Sequence, residues 1–505
     1  MIKTLFRSLL GSDSAGAAGR QTVLETQLAE ADARGDLAAA IAVRRELLEL
    51  QPGRSEWWVS LAECQRRAGD LQAAGAAYQQ ALAAGAPAVQ VLLQLGAVHT
   101  ELEDYPAAEE VFRQLVELDP LHADGWCMLG IVVKDQRRYE DACRHLEKSI
   151  QLSPALSAAW FNLGLAQFER GQLSAASQSF LRCVELRRGR PWGADRVALL
   201  ERDPQPVFEP MDMGVNEIKL RHDCEQLEYL LERGLLPSAY ARVLGDYRSL
   251  LEEISGKVDE NTLVPFDVQR HLLVARTYKR PVLIADEPLQ VESLINPELD
   301  FAAIEERYLA ADPNVATLDN LLTPEALQAV RRFCRESTIW NNIKPGYLGA
   351  YFFDGFCSDL LLRLAWELRA HMPHVIRDLP LNMMWGFKCD SQLPGLAVHA
   401  DAAAVNINFW ITEDEANLDP EGGGLRVYEH DAPRDWDFRR FNKEAGGIQE
   451  YLDAIGSKPT RYPYRANRAL IFDSDLFHAT DSPHFRPGYL NRRINITLLY
   501  GNRKA

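Results

Sequence analysis

The sequence predicts a multidomain α + β protein: an N-terminal α-solenoid, a helical connector, and a C-terminal domain of short strands braced by helices. Three observations carry this. A 34-residue period runs through the first two-fifths of the chain. Prolines and glycines interrupt it from about residue 188. From about residue 313, helical spacing gives way to short β-type runs. The expected division is a tail at 1–20, five repeat units over 21–190, a linker and connector over 191–312, and the strand-rich domain over 313–505.

The repeat is registered at several positions. Ala40, Ala74, Ala108, Ala142 and Ala176 are each 34 residues apart, and Leu24, Trp58, Leu92, Trp126 and Trp160 keep that spacing sixteen residues earlier. Leu95-Gly96, Leu129-Gly130 and Leu163-Gly164 follow three residues after the large residue, and Pro52, Pro120 and Pro154 close three units. Gly35-Asp36, Gly69-Asp70 and Gly171-Gln172 separate two helical runs within their units. Small residues let antiparallel helices approach, and large ones fill the gap to the next unit. The pattern resembles the tetratricopeptide repeat, whose stacked helices imply a groove for a peptide or protein partner. The first unit diverges at Arg44 and the last at Arg188, as end units facing solvent do.

Composition narrows the function. The 505 residues hold 55 Lys plus Arg and 72 Asp plus Glu, so the charge is 55 − 72 = −17. That balance argues against nucleic acid as the main partner, because phosphate binding needs a cationic surface. No apolar run approaches the roughly 20 residues of a membrane helix, and Arg7 interrupts the short apolar start. No membrane association is expected. The eight cysteines include no C-x-x-C pair. Free thiols and a cytoplasmic location are expected. The oligomeric state stays open.

Residues 203–214 read as a linker, and 216–256 as two or three helices. His222-Asp223-Cys224-Glu225 invites a metal reading. Consecutive residues on a helix point in different directions, so they are expected not to converge on an ion.

In the last domain, Thr323-Pro324-Glu325 and Ser358 read as helix starts. The strand-type runs are MMWGFKC, VNINFWIT, GLRVYE, RALIFDS and RRINITLLYG. Helices followed by short strands suggest an α-supported sandwich or barrel. His399-Ala400-Asp401 lies just before one strand, and His478 just after another, 77 residues beyond Asp401. Two imidazoles and a carboxylate on one face of an octahedral metal leave three positions open, which suits oxygen activation on ferrous iron. On a strand, Arg493, Asn495 and Thr497 share one face. Asn406, Asn408 and Trp410 share one face of their strand, opposite Val405, Ile407, Phe409 and Ile411. The polar faces are expected to line a cavity and the apolar ones to pack on helices. His430 and His484 are read as exposed or core histidines, and Asp473 and Asp475 as turn residues.

Taken together, residues 313–505 resemble the iron(II)- and 2-oxoglutarate-dependent dioxygenases, in particular the prolyl-hydroxylase-like branch. The matching pieces are His399-x-Asp401, VNINFWIT, Gly422-Gly423-Gly424-Leu425-Arg426-Val427, NRALIFDSDLFHAT and Arg493 on the last strand. The resemblance implies a double-stranded β-helix (jelly roll) with His399, Asp401 and His478 ligating iron. It implies that Arg493 pairs with the distal carboxylate of 2-oxoglutarate, since a planar guanidinium suits bidentate carboxylate binding. Arg492 is the alternative, on the wrong strand face. Where many relatives carry a tyrosine, this chain offers Trp410, so Asn406 or Asn408 is expected to supply a cosubstrate contact. The implied reaction consumes O₂, converts 2-oxoglutarate to succinate and CO₂ with ascorbate in support, and hydroxylates a C–H bond. Asp401 favours hydroxylation over halogenation. The repeats point to a peptide or protein substrate. A small metabolite or sugar, or a non-catalytic repeat-based interaction protein, are the alternatives. Residues 430–466, with a helix expected at 446–455, are placed to form a lid over the substrate.

Overall fold

The computed structural model of the chain describes residues 19–189, 214–285, 290–389 and 397–503. The tail at 1–18 and most of the expected linker, 190–213, lie outside the described residues. The chain divides into two compact units, 1–166 and 167–505.

The first unit is built from paired helices at the expected period, among them Leu37–Leu50, Ser55–Arg67, Leu71–Ala83, Ala88–Glu101, Tyr105–Leu118, Ala123–Asp135 and Tyr139–Leu152. Asp36, Asp70 and Asp104 each cap a helix by accepting from the amide three residues on. The repeated alanines Ala40, Ala74, Ala108 and Ala142 are buried. A Cβ on Gly96 would lie 2.5 Å from the Phe112 ring, and one on Gly130 would lie 2.6 Å from Leu146. The Trp–Pro spacing is a hydrogen bond: Trp58, Trp126 and Trp160 donate their indole N–H to the carbonyls of Pro52, Pro120 and Pro154 at 2.8, 3.0 and 3.0 Å. Arg44, the divergent residue of the first unit, is buried against Asp32 at 3.0 Å and donates to Ser60 at 2.8 Å.

Glu109 ties two repeats together. It accepts from Arg113, from Arg138 at 2.8 Å and from Gln136 at 2.8 Å. Burial would raise its carboxyl, but those hydrogen bonds overturn that and hold it at about 2. Because its folded value lies below its unfolded one, its stabilisation is complete above about pH 4.5 and is lost as pH falls toward 2. Glu109→Gln should therefore lower the urea midpoint of the helical signal at pH 7, with the gap closing as pH drops through that window. A gap independent of pH would contradict this.

The second unit begins inside the fifth repeat, at Gln167. Helix Leu173–Arg188 packs on the strand-rich part: Phe180 stacks on Phe352 at 4.9 Å, and Arg188 pairs with the buried Asp354 at 2.7 Å. The contacts do not divide at 312. Helix Glu217–Glu232 carries the His222-Asp223-Cys224-Glu225 run. Asp223 pairs within the helix with Lys219 at 2.8 Å, and Glu225 docks the connector by pairing with Arg492 at 2.9 Å. Gln226 donates to the carbonyls of Arg335 and Ser337 at 3.1 and 3.0 Å. Within 257–310, Val282 and Leu283 donate their amides to Thr338 at 2.6 and 3.0 Å, so that stretch is fastened to the same body.

Among the described residues ten strands follow: β1 Val315–Leu318, β2 Asn342–Lys344, β3 Tyr347–Tyr351, β4 Leu381–Cys389, β5 Val405–Trp410, β6 Leu425–Asp431, β7 Pro459–Tyr462, β8 Ala469–Asp473, β9 Leu476–Thr480 and β10 Ile494–Tyr500. They form two antiparallel sheets, β1-β8-β5-β10-β4-β3-β2 and β7-β6-β9. The five expected runs are β4, β5, β6, β8 and β10; β1, β2 and β7, of three or four residues, are too short to show a period. The expected helices are Pro324–Glu336 and Asp359–His371. The apolar face of β5 and β10, with Ile407 opposite Leu498 and Phe409 opposite Ile496, is buried. Helices serve that side: the Tyr500 hydroxyl donates to Ala365 at 2.8 Å, and Arg331 donates to Ile411. On the other face, Trp410, Leu470 and Phe472 cluster with Leu425, Val427 and Leu476 of the small sheet. No described helix is long and apolar enough to cross a membrane. All eight cysteines are buried and none is disulfide-bonded.

Candidate metal centre

Three residues distant in sequence meet between the sheets. His399, Asp401 and His478 bring one ligand atom each within 4.8 Å of one another. His399 Nε2 lies 3.8 Å from one Asp401 oxygen, and His478 Nε2 lies 3.5 Å from the other. Ligands in adjacent octahedral positions at bonds of about 2.1 Å would be about 3 Å apart. Among the described residues this is the one group of three such side chains that could hold an ion.

The backbone sets this arrangement. His399 and His478 form an isolated antiparallel bridge, with amide-to-carbonyl distances of 3.0 and 2.8 Å in the two directions. Each imidazole is 3.0 Å through Nδ1 from a carbonyl two residues earlier, Ala397 and Leu476. A carbonyl can only accept, so Nδ1 carries the proton and Nε2 keeps its lone pair toward the site. That is the orientation a metal-binding histidine needs. Burial and the neighbouring His478 lower the His399 pKa against the pull of Asp401, which favours the neutral ligand. Burial would raise the Asp401 carboxyl; the two neighbouring imidazoles and the hydrogen bond donated by the Asn406 amide outweigh this and hold it below its usual range. The His399 side chain is 26% exposed, so the site is open on its side.

His478 was expected just beyond a strand. It lies in the middle of β9, opposite Val427. The Asp475 amide donates to Asp473 at 3.2 Å, making the tight turn that sends the chain from β8 into the other sheet. Asp473 thus ends β8, paired with Val405, and Asp475 lies in the turn. His430 and His484 are both exposed.

The polar face assembles as expected, but its amides are already engaged. Asn406 donates to Asp401 at 2.8 Å and accepts from Asn408. The Asn408 carbonyl accepts from Asn495 at 2.7 Å and Thr497 at 2.8 Å. Asn406 therefore fixes the carboxylate that faces both imidazoles. Arg493 is 1% exposed, between the sheets. It donates to the Gly423 carbonyl at 2.6 Å and lies 5.8 Å from the Trp410 ring centroid. Among the described residues no carboxylate pairs with it. Trp410 is fully buried and its indole N–H is without a partner among the described residues. Arg492 is spent on Glu225. Gly424 permits the close approach here, since a Cβ would lie 1.9 Å from the Tyr462 carbonyl.

The insertion at 430–466 does not cover the site. Its helices Phe438–Asn442 and Ala445–Ala454 bring Phe441, Ile448 and Leu452 against Val398, Ala400, Phe477 and Ala479. Phe477 and Ala479 flank His478 and point the opposite way, so these helices brace β9 on the face away from the triad. They also clamp the turn: Ala400 donates to the Phe441 carbonyl at 2.9 Å, and Asn442 donates to the Ala400 carbonyl at 2.8 Å. Nothing in the local composition marks this bracing. Loss of such outer support around ligands costs about 10–100-fold in metal affinity. Asn442→Ala should weaken metal binding by about tenfold in a titration, and unchanged affinity would contradict this role.

Comparison with known proteins bears on the helices. Tetratricopeptide-repeat family models match residues 30–89, 89–132 and 127–191. The N-terminal helices are tetratricopeptide repeats. The chain is 30% identical over 90 residues to the tetratricopeptide repeat-containing protein trd-1 of Caenorhabditis elegans, covering 18% of this chain and 12% of that protein. It is 28% identical over 149 residues to the general transcriptional corepressor ssn6 of Schizosaccharomyces pombe, covering 28% of this chain and 13% of that one. The chain thus spans about an eighth of these relatives' lengths. Among solved structures, MamA is similar at 21% identity and TM-score 0.30, covering 31% of this chain and 92% of its own. YrrB, described as a TPR protein with an unusual peptide-binding site, matches at 17% identity and TM-score 0.29, covering 32% and 82%.

Proposed function

We propose that the protein is an iron(II)- and 2-oxoglutarate-dependent dioxygenase that hydroxylates a side chain of a peptide or protein recruited by its repeats. On this reading the two sheets are a double-stranded β-helix. The observation that carries it is the convergence of His399, Asp401 and His478 with both Nε2 atoms turned inward. Ferrous iron held there would supply redox chemistry with O₂, driven by oxidation of 2-oxoglutarate to succinate and CO₂. The chain's own contribution is positioning. Asn406 holds one Asp401 oxygen in place. Arg493 offers a buried cation, pinned by the Gly423 carbonyl and stacked near Trp410, to the distal carboxylate of 2-oxoglutarate. Trp410 shields the guanidinium, and Phe472 packs edge-on against His478 at 4.9 Å.

The tetratricopeptide repeats support a protein partner and favour one rival reading, a repeat-based interaction protein without catalysis. The purified chain, mixed with Fe(II), ascorbate and 2-oxoglutarate, separates the two. The dioxygenase reading expects succinate that requires both iron and 2-oxoglutarate. Absence of succinate at saturating levels of both would leave the interaction protein.

A further inference from the structure

The two sheets are unequal, seven strands facing three. The small sheet covers the β5–β8 half, where Trp410, Leu470 and Phe472 meet Leu425, Val427 and Leu476. On the β4–β3 half, the same face carries Met383, Trp385 and Phe387 on β4 and Tyr347, Gly349 and Tyr351 on β3. None of these is charged. Register continues this face to the site: Tyr351 opposes Trp385, Trp385 opposes Thr497, and Thr497 opposes Asn408.

The rings form a strip. Trp385 lies 5.8 Å from Phe387 and 5.9 Å from Tyr351, which stacks on Phe353 at 5.4 Å. Trp385, Tyr351 and Phe387 cluster with Leu499 and with Ala403, two residues past Asp401. Tyr351, Met383 and Phe387 remain half-exposed although they sit beside the centre. Trp385 is 9% exposed, and its indole N–H has no hydrogen-bond partner among the described residues. A buried donor without a partner costs free energy that a ligand acceptor would recover.

We infer that this strip is the substrate subsite, and that it takes an uncharged peptide segment whose apolar side chain lies on the Tyr351 and Phe387 rings and whose backbone carbonyl accepts from the Trp385 indole. The inference rests on the oxygenase reading for calling the ligand a substrate. Along β3 and β4 this face offers an anionic metabolite no cation, those beside the strip being Arg187, 4.8 Å from the Phe353 ring centroid, and Lys344 opposite Tyr347 on β2; a sugar would leave most of its hydroxyls unmatched there.

The full chain labelled with 5-fluorotryptophan gives a fluorine resonance for each of its ten tryptophans. The resonance missing in Trp385→Phe reports this ring. Phe387→Leu, which changes the ring next to it, assigns the same line should Trp385→Phe not fold. Three pools of end-blocked hexapeptides serve as probes: one of Ala, Leu, Val, Pro and Gly, one with Glu at alternate positions, and one with Lys there. The neutral pool should shift the Trp385 line saturably, and Tyr351→Ala should raise the concentration needed by at least tenfold. No shift with the neutral pool, or an equal shift with the Glu or Lys pool, overturns the inference. Succinate formation by the parent protein is measured alongside. A shift without succinate keeps the peptide subsite and removes the oxygenase reading; succinate without a shift does the opposite.

Discussion

Replacing Asp401 with alanine is expected to abolish iron-dependent succinate formation and to weaken divalent metal binding by more than about a hundredfold. Outer partners of metal ligands are themselves worth about 10–100-fold, and Asp401 is the only anionic member of the set. Its loss also leaves two neutral imidazoles with no negative charge to offset a dication. The fold should persist, because the backbone of this turn is tied independently. His399 bonds to His478, Ala400 to Phe441, and the Asp401 amide to the Ser474 carbonyl at 3.1 Å. Circular dichroism and anaerobic metal titration read the two effects apart. Full metal affinity in a folded Asp401→Ala protein would show that the carboxylate is not a ligand.

Arg493→Met is expected to raise the KM for 2-oxoglutarate by about 10–150-fold, the equivalent of about 1.5–3 kcal/mol for a charge-assisted pair. The same variant should not lose thermal stability. The guanidinium is buried beside carbonyls and a tryptophan face, with no carboxylate partner among the described residues. A buried charge without a counter-ion carries a desolvation cost, so an apolar side chain of similar length is close to neutral or stabilising. A structural cation would give the opposite split: a fall in Tm with KM unchanged. Arg492→Met tests the neighbour. It should destabilise by breaking the pair with Glu225, since it reaches the connector helix rather than the cavity.

The repeats were legible because their signal is redundant. Alanine, tryptophan and proline positions recur in register, and each has one physical job: close helix packing, filling, and an indole-to-carbonyl bond six residues back. The polar faces of β5 and β10 were legible because alternation survives in strands of six and seven residues. Strands as short as β2, with three residues, leave no period to read. The placement of His478 was missed because the turn at Asp473–Asp475 is so tight that β8 and β9 read as one run. Asn406 or Asn408 is expected from the sequence to contact the cosubstrate; that the Asn406 amide also bonds to Asp401 was not legible, because the pairing depends on how a turn folds back on its own strand. The brace from Phe441 and Asn442 depends on distant segments meeting, which no local pattern encodes. The aromatic strip could have been found: Met383, Trp385 and Phe387 alternate in MMWGFKC, and the alternation places them on one face.

The most direct measurement is anomalous diffraction at the iron edge from crystals grown anaerobically with Fe(II). The account predicts one peak per chain, bonded to Nε2 of His399, Nε2 of His478 and an oxygen of Asp401, with the remaining positions open toward Arg493. Iron bound elsewhere, or no peak at saturating Fe(II), would contradict it.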